Sequence, residues 1–206
     1  IEVEWVRDGT TKLMARLMAE IEAGNPQPDV LLIADTVTLE GMAQDGHLKA
    51  YQSPEAAAYD PALYSAEGFY HSTKLITTGI VYNTGVDAAP ASWADLNDAA
   101  LKGQIAMPSP LYSGAALIHL ATLTGDKELG WDFYSELAAN EARAKGGNGG
   151  TFKAVAAGEK PYGMVVDFLA IRNQAKGSPV EFVFPKEGVS YVTEPVAILS
   201  TAKNTD

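Results

Sequence analysis

Apolar residues recur along this chain at two different spacings, and the switch between them predicts a mixed α/β protein. Glu2-Val3-Glu4-Trp5-Val6 alternates polar and apolar, which predicts a strand over residues 1–6. Leu13, Met14, Leu17, Met18 and Ile21 then fall at helical spacing. Asp8-Gly9-Thr10-Thr11 supplies turn and cap chemistry for that helix, and Gly24 closes it. Val30-Leu31-Leu32-Ile33-Ala34 is short and wholly apolar between turn residues, the mark of a strand buried on both faces in a parallel sheet. Strand, helix and buried strand together predict a right-handed βαβ unit.

The same logic carries on along the chain. A helix over about Leu39–Asp45 ends at Gly46, and residues 49–70 form a long, polar, proline-containing excursion. Lys74–Thr84 is a long extended segment, with Gly79 as a bend. Beyond it, Ser92 caps a short helix reaching Leu96. Gln104–Met107 reads as a strand, Ser113–Leu123 and Glu128–Ala139 as helices, and Thr151–Ala157 as a helix stopped by Gly158. Tyr162–Val166 is a buried strand, Phe168–Ala175 a helix ending near Gly177, and Glu181–Phe184 and Glu194–Ser200 are strands. Alternating strands and helices predict an α/β architecture with mainly parallel sheets. The chain opens directly into a strand pattern, and Asn204-Thr205 has the character of a helix cap, so terminal elements are expected to be missing.

Composition narrows the partners. With 206 residues there is room for two compact lobes, and 47% hydrophobic against 20% charged residues suits a folded globular chain. A formal net charge of -11 opposes nucleic acid and anionic membrane surfaces as partners and favours a monomer. The absence of cysteine excludes disulfides, thiolate metal sites and a cysteine nucleophile. No apolar run approaches the roughly 20 residues of a membrane span.

Candidate binding chemistry lies where strands run into helix starts, the usual place for ligands on open α/β sheets. Three junctions qualify: Arg7-Asp8-Gly9-Thr10-Thr11, Pro108–Ala115, and Gly146–Thr151. Each combines small residues, hydroxyls and free backbone N–H groups, the means of holding an anion. Arg7, Asp8, Thr10, Tyr112, Ser113, Gly114, Ala115, Asn148 and Thr151 are the candidates there. Asp167, just after the strand Tyr162–Val166, and Glu187, in Pro185-Lys186-Glu187-Gly188, add acceptors for an amine or hydroxyl. Taken singly, each hydroxyl is more often a cap and each glycine cluster a turn; three junctions on one fold raise the binding reading. Tyr82 and Trp93 either line a cleft or pack in the core. The histidines His47, His71 and His119 match no metal-ligand spacing, and His119 reads as a packed helix residue. No nucleophile elbow, zinc-protease or P-loop motif is present, so no catalytic residue, metal or cofactor is proposed.

These stretches resemble the type II extracellular solute-binding proteins, in particular the iron, phosphonate and sugar-phosphate group. The matching segments are Glu2–Gly9, Pro28–Asp35, Gly79–Thr84, Trp93–Leu96, Leu101–Ala106, Pro108–Ala115, Val155–Glu159 and Tyr162–Asp167, in family order. The resemblance implies two α/β lobes, 1–78 plus 193–206 and 79–192, joined by crossover hinge strands and closing on a solute. It implies a periplasmic carrier, not an enzyme, delivering a small-molecule solute to an ABC permease in the inner membrane. Iron-binding members carry adjacent tyrosines after the strand corresponding to Tyr162–Val166, where this chain has Val166-Asp167-Phe168. The expected cargo is therefore a small anionic or zwitterionic organic solute, of the phosphonate or sugar-phosphate type, with its anion at Ser113-Gly114 and Asp167 reading its amine or hydroxyl. A ferric-iron carrier is the alternative, and an enzyme on the same two-lobed fold a distant third.

Overall fold

A computed structural model describes residues 2–203. The chain forms two compact units, Ile1–Leu75 with Val192–Asp206, and Ile76–Tyr191. The first holds α1 (Thr10–Glu22), β1 (Val30–Leu32), α2 (Thr36–Gln44), β2 (Leu48–Lys49) and β3 (Tyr70–Ser72). The second holds β4 (Ile76–Asn83), β5 (Ile105–Met107), α3 (Gly114–Thr124), α4 (Gly130–Ala139), β6 (Arg143–Ala144), α5 (Asn148–Ala156), β7 (Tyr162–Val166), α6 (Asp167–Gln174) and β8 (Val180–Val183). The strand β9 (Ser190–Val192) pairs with β4, and β10 (Pro195–Leu199) returns to the first unit.

In the first unit α1 forms where the helical spacing places it, and Gly24 ends it with φ +69°, a conformation glycine adopts without steric cost. Leu17 faces inward beside Leu31, Ile33, Leu39, Met42 and Leu199. The start of α2 is held by Asp35, whose carboxylate accepts from Thr38 N (3.1 Å) and Thr38 Oγ1 (2.5 Å). β10 is the centre of the sheet, with β1, β2 and β3 all antiparallel to it.

Three expectations fail here. Residues 2–6 form no strand: Val3 and Trp5 are 72% and 77% exposed, and no other segment among the described residues pairs with them. The βαβ unit built on that strand fails with it. Nor is β1 buried on both faces, since Val30 and Leu32 are 54% and 47% exposed while Leu31 packs inward. An apolar run records that a strand is sticky, not which way its neighbour runs, so the predicted parallel pairing becomes antiparallel here. The predicted Asn204-Thr205 cap and the residue Ile1 lie outside the described residues.

The second unit carries a sheet ordered β6-β5-β7-β4-β8, with β9 also on β4. It is mixed rather than mainly parallel: β5 runs parallel to β6 and β7, whereas β4 is antiparallel to β7 and β8. Alternation along the central strands sorts two cores. Ile80 and Met164 join Trp93, Leu96, Ile105, Phe133 and Leu137 on one face, while Val81 and Val165 join Phe152, Val155, Ala170 and Val180 on the other. With both faces covered, every residue of β7 is buried. α5 begins at Asn148, earlier than the predicted Thr151, because Gly147 serves as its cap residue.

Gly79 does not bend the strand; it pairs regularly with Val165. Its role is close approach, since a Cβ at that position would stand 2.6 Å from the Val183 carbonyl oxygen. Backbone cannot yield as a side-chain tip can. Gly79→Ala is therefore expected to cost about 1–3 kcal/mol, a fall in Tm of about 2–4 °C per kcal/mol for a chain this size. A thermal melt with an unchanged midpoint would show that the strands separate freely at this point.

Candidate functional site

Parallel pairing of β5, β6 and β7 puts their carboxyl ends on one edge of the second unit's sheet. Each strand leads there into a helix start. β5 continues through Pro108–Ser113 into α3, β6 through Lys145–Gly147 into α5, and β7 directly into α6. The antiparallel β4 brings its own beginning to the same edge, with Thr78 opposite Val166. Unpaired N–H groups and the positive ends of three helix dipoles thus gather without any charged side chain being needed.

Side chains tie this edge together. Ser113 caps α3: its Oγ accepts from Ala116 N at 3.3 Å and from Asn148 Nδ2 at 3.1 Å. Asn148 Oδ1 in turn accepts from Val166 N at 3.0 Å, so one amide joins the starts of α3 and α5 to the end of β7. Asp167 follows immediately, its Oδ1 accepting from Phe168 N at 2.6 Å. Its Oδ2 accepts from Thr77 Oγ1 at 2.7 Å and Thr77 N at 3.3 Å. The two loops are also pinned directly, with Ser109 N donating to Gly146 O at 2.9 Å. Gly147 leaves room for the Tyr112 ring, which would lie 2.9 Å from a Cβ there.

Seven of the sequence candidates therefore belong to the loops and helices of this edge: Tyr112, Ser113, Gly114, Ala115, Asn148, Thr151 and Asp167. Gly114, Ala115 and Thr151 are buried, and the Thr151 methyl lies against Gly163 of β7. Glu187 belongs to another set of bonds. It accepts from the Ser92 hydroxyl and, at 3.2 Å, from Trp93 N. Burial, the largest single influence, works to raise its carboxyl pKa, but these donors, its own backbone N–H and the Lys186 charge together outweigh it and hold the group below the ordinary glutamate value. Arg7, Asp8 and Thr10 sit at the start of α1 in the first unit. There Arg7 is exposed, and Asp8 pairs with Lys12 at 2.5 Å and accepts from Gly9 N at 2.9 Å.

Thr77 escaped sequence reasoning because its partner Asp167 is 90 residues away. The only local sign was a pair of hydroxyl residues, Thr77-Thr78, inside an otherwise apolar strand. Among the described residues, no group of three or more His, Cys, Asp or Glu side chains is placed to hold a metal ion. Among them, too, no helix is long and apolar enough to cross a membrane.

This fold, with strand ends feeding helix starts on a mixed sheet, is that of the type II periplasmic binding proteins. The profile of the bacterial extracellular solute-binding proteins matches residues 25–205, and the chain belongs to that family. A protein of Haemophilus influenzae is 29% identical over 221 residues, covering all of this chain and 62% of that protein. A putative 2-aminoethylphosphonate-binding periplasmic protein of Salmonella typhimurium is 28% identical over 169 residues, 77% of this chain and 46% of that one. The chain thus spans about half to two thirds of the length of these relatives. Among solved structures, the periplasmic binding protein AfuA of Actinobacillus pleuropneumoniae, with fructose 6-phosphate bound, superposes with a TM-score of 0.86 at 26% identity. That match covers 99% of this chain and 67% of AfuA. Three ferric-binding proteins and iron-bound HitA of Pseudomonas aeruginosa share the fold at 20–23% identity and TM-scores of 0.67–0.78.

Proposed function

We propose that this chain is the recognition core of an ABC importer's periplasmic solute-binding component, and that its cargo is a small anionic or zwitterionic organic solute of the phosphonate or sugar-phosphate type. The observation that carries the reading is the edge at β5, β6 and β7, where three helix starts converge and Ser113, Asn148 and Asp167 are fixed by hydrogen bonds. Dipolar donors suit an anion in a protein whose net charge is itself negative, because they attract locally without a counter-ion. The anion is placed at Ser113-Gly114, and Asp167, an acceptor only, reads a donor group of the solute. The names of the Salmonella and Actinobacillus proteins point to the same chemical class. The ferric-binding relatives support the fold alone.

No bond is made or broken in this function. The solute acts by its differential affinity for the form presented to the permease, and the population shifts accordingly. Isothermal titration with 2-aminoethylphosphonate, fructose 6-phosphate and ferric citrate tests the reading. Heat with either phosphorus compound supports it; a response to ferric citrate alone overturns it in favour of an iron carrier. Asp167→Ala is expected to weaken binding of 2-aminoethylphosphonate about tenfold or more, the loss of one charge-assisted hydrogen bond, while leaving the chain folded. An unchanged Kd would remove Asp167 from the site.

A further inference from the structure

Phe184 is 55% exposed although the chain around it is anchored: Pro185 is buried, and Lys186 N donates to Ala91 O at 3.0 Å. A single exposed apolar side chain is ordinary; this one is distinguished by its place. β8 is antiparallel to β4, with Val183 opposite Ile80, so one step further on Phe184 lies opposite Gly79, near the start of β4. Its ring stands edge-on to Phe182, 5.0 Å between centroids at 83°. Phe182 in turn lies over Gly79, where a Cβ would come within 2.5 Å of the ring. Both rings therefore share the face of β4 that carries Thr77, because side chains two apart on a strand point the same way. On that face Thr77 Oγ1 donates to Asp167 at 2.7 Å. The helix α6 sets the height. Gln174 Nε2 donates to Glu181 Oε2 at 2.6 Å, tying the end of α6 to the start of β8. From Glu181 to Phe184 the strand climbs about 10 Å, and from Gln174 back to Asp167 the helix covers about the same. Phe184 thus stands level with Asp167, on the same face and at the same edge of the sheet.

We propose that Phe184 is a specificity-determining residue: its ring and the Asp167 carboxylate receive an alkylammonium group between them, so the cargo is an aminoalkyl phosphonate rather than a sugar phosphate. A phenylalanine has no polar atom and adds nothing to a hydrogen bond from a sugar hydroxyl. Its ring face is negative, however, and adds to the attraction that a carboxylate exerts on a cation. The neighbouring Phe168 already has a cation, the Arg172 guanidinium, 5.5 Å from its ring centroid. Among the described residues no cation lies over Phe184, which leaves its face open to one that arrives with the solute. This inference rests on the proposed function, because it names the solute group that Asp167 reads.

Isothermal titration with 2-aminoethylphosphonate, its amine-free counterpart ethylphosphonate, and fructose 6-phosphate tests it. The wild-type chain is expected to bind 2-aminoethylphosphonate about tenfold or more tightly than ethylphosphonate. Phe184→Ala should weaken 2-aminoethylphosphonate about fivefold or more while changing the Kd for ethylphosphonate by no more than about twofold. Phe184→Leu keeps apolar bulk without a ring, and should lose nearly as much as Phe184→Ala; Phe184→Tyr keeps the ring and should retain binding. Because the side chain is half-exposed, all three variants should fold, and a thermal melt checks this. Equal losses for the amine and its amine-free counterpart, or full retention in Phe184→Leu, would reduce Phe184 to an apolar wall and overturn the proposal. So would a loss in Phe184→Ala that is larger for fructose 6-phosphate, the sign of a ring stacked on a sugar. A wild-type chain that binds fructose 6-phosphate but not 2-aminoethylphosphonate would overturn this inference and leave the proposed function intact. If it binds neither, both fall together.

Discussion

Between about pH 6.5 and pH 3, His119 alone is expected to lower the stability of the chain by about 1.4 kcal/mol for each unit of acidification. The residue is 3% exposed on α3. Its ring lies 4.7 Å from that of Trp93, its Nδ1 meets Ser190 Oγ at 3.0 Å, and its buried Nε2 has no hydrogen-bond partner among the described residues. Burial without a counter-charge penalises the imidazolium and pushes its pKa down to about 3. Below about pH 6.5 the unfolded histidine takes up a proton that the folded one refuses until near pH 3. Throughout that window the unfolded state binds more protons, so stability falls as pH falls; above it the contribution is flat. Glu187, whose carboxyl pKa is held below the ordinary value, adds a loss at the acid end as its hydrogen bonds from Ser92 and Trp93 N weaken. Urea titrations at about pH 7, 5 and 4 check the first effect against His119→Leu. The variant should be less stable at neutral pH yet lose stability more slowly on acidification, by about one proton's worth of slope. Parallel pH dependences in the two proteins would mean that His119 is solvated before the chain unfolds.

The largest single loss is expected from Trp93→Ala, at about 3–5 kcal/mol. Trp93 is fully buried, lies against His119, and sits edge-on to Phe133 at 6.5 Å between ring centroids. Its Nε1 donates to Gly188 O at 2.9 Å. Truncation removes the whole indole from the core around Ile80, Leu96 and Met164 and strands the Gly188 carbonyl. Trp93→Phe keeps most of the ring and loses chiefly the hydrogen bond, so it should cost about 1–3 kcal/mol. Urea midpoints give both values, and a Trp93→Ala loss under about 1 kcal/mol would show that the surrounding core collapses into the space. Because Trp93 touches His119, the two substitutions should not add.

Local pattern carried most of the helices and failed on strand direction. Met14, Leu17 and Ile21 mark α1 because a helix fixes its own hydrogen bonds, and the Ser113 cap and the buried strand Tyr162–Val166 are likewise local signals. Residues 2–6 show the limit: alternation describes a face, but a strand needs a neighbour that the alternation does not name. The same limit governed β1, whose apolar run suited either a parallel buried strand or the half-exposed antiparallel one found. In the candidate site, Ser113 and Asp167 could be placed from the ends of their own elements. Thr77, and the bond by which Asn148 reaches Val166, join segments far apart in the chain and became visible only in three dimensions. Glu187 had the right chemistry for a ligand contact, but its bonds show it anchoring Ser92 and Trp93.

The central place of β10 in the first unit's sheet sets an order of events during synthesis. Among the described residues, β1, β2 and β3 hydrogen-bond to β10 and to none of one another, so their partner leaves the ribosome more than a hundred residues after they do. At about 5–20 residues per second, that is a delay of several seconds or more. In the second unit β4, ending at Asn83, also waits for β7 at Tyr162 and β8 at Val180, but that unit is complete at Tyr191, before β10 begins at Pro195. The second unit is thus able to fold while β1, β2 and β3 still lack β10, and among the described residues these strands pair only when β10 arrives.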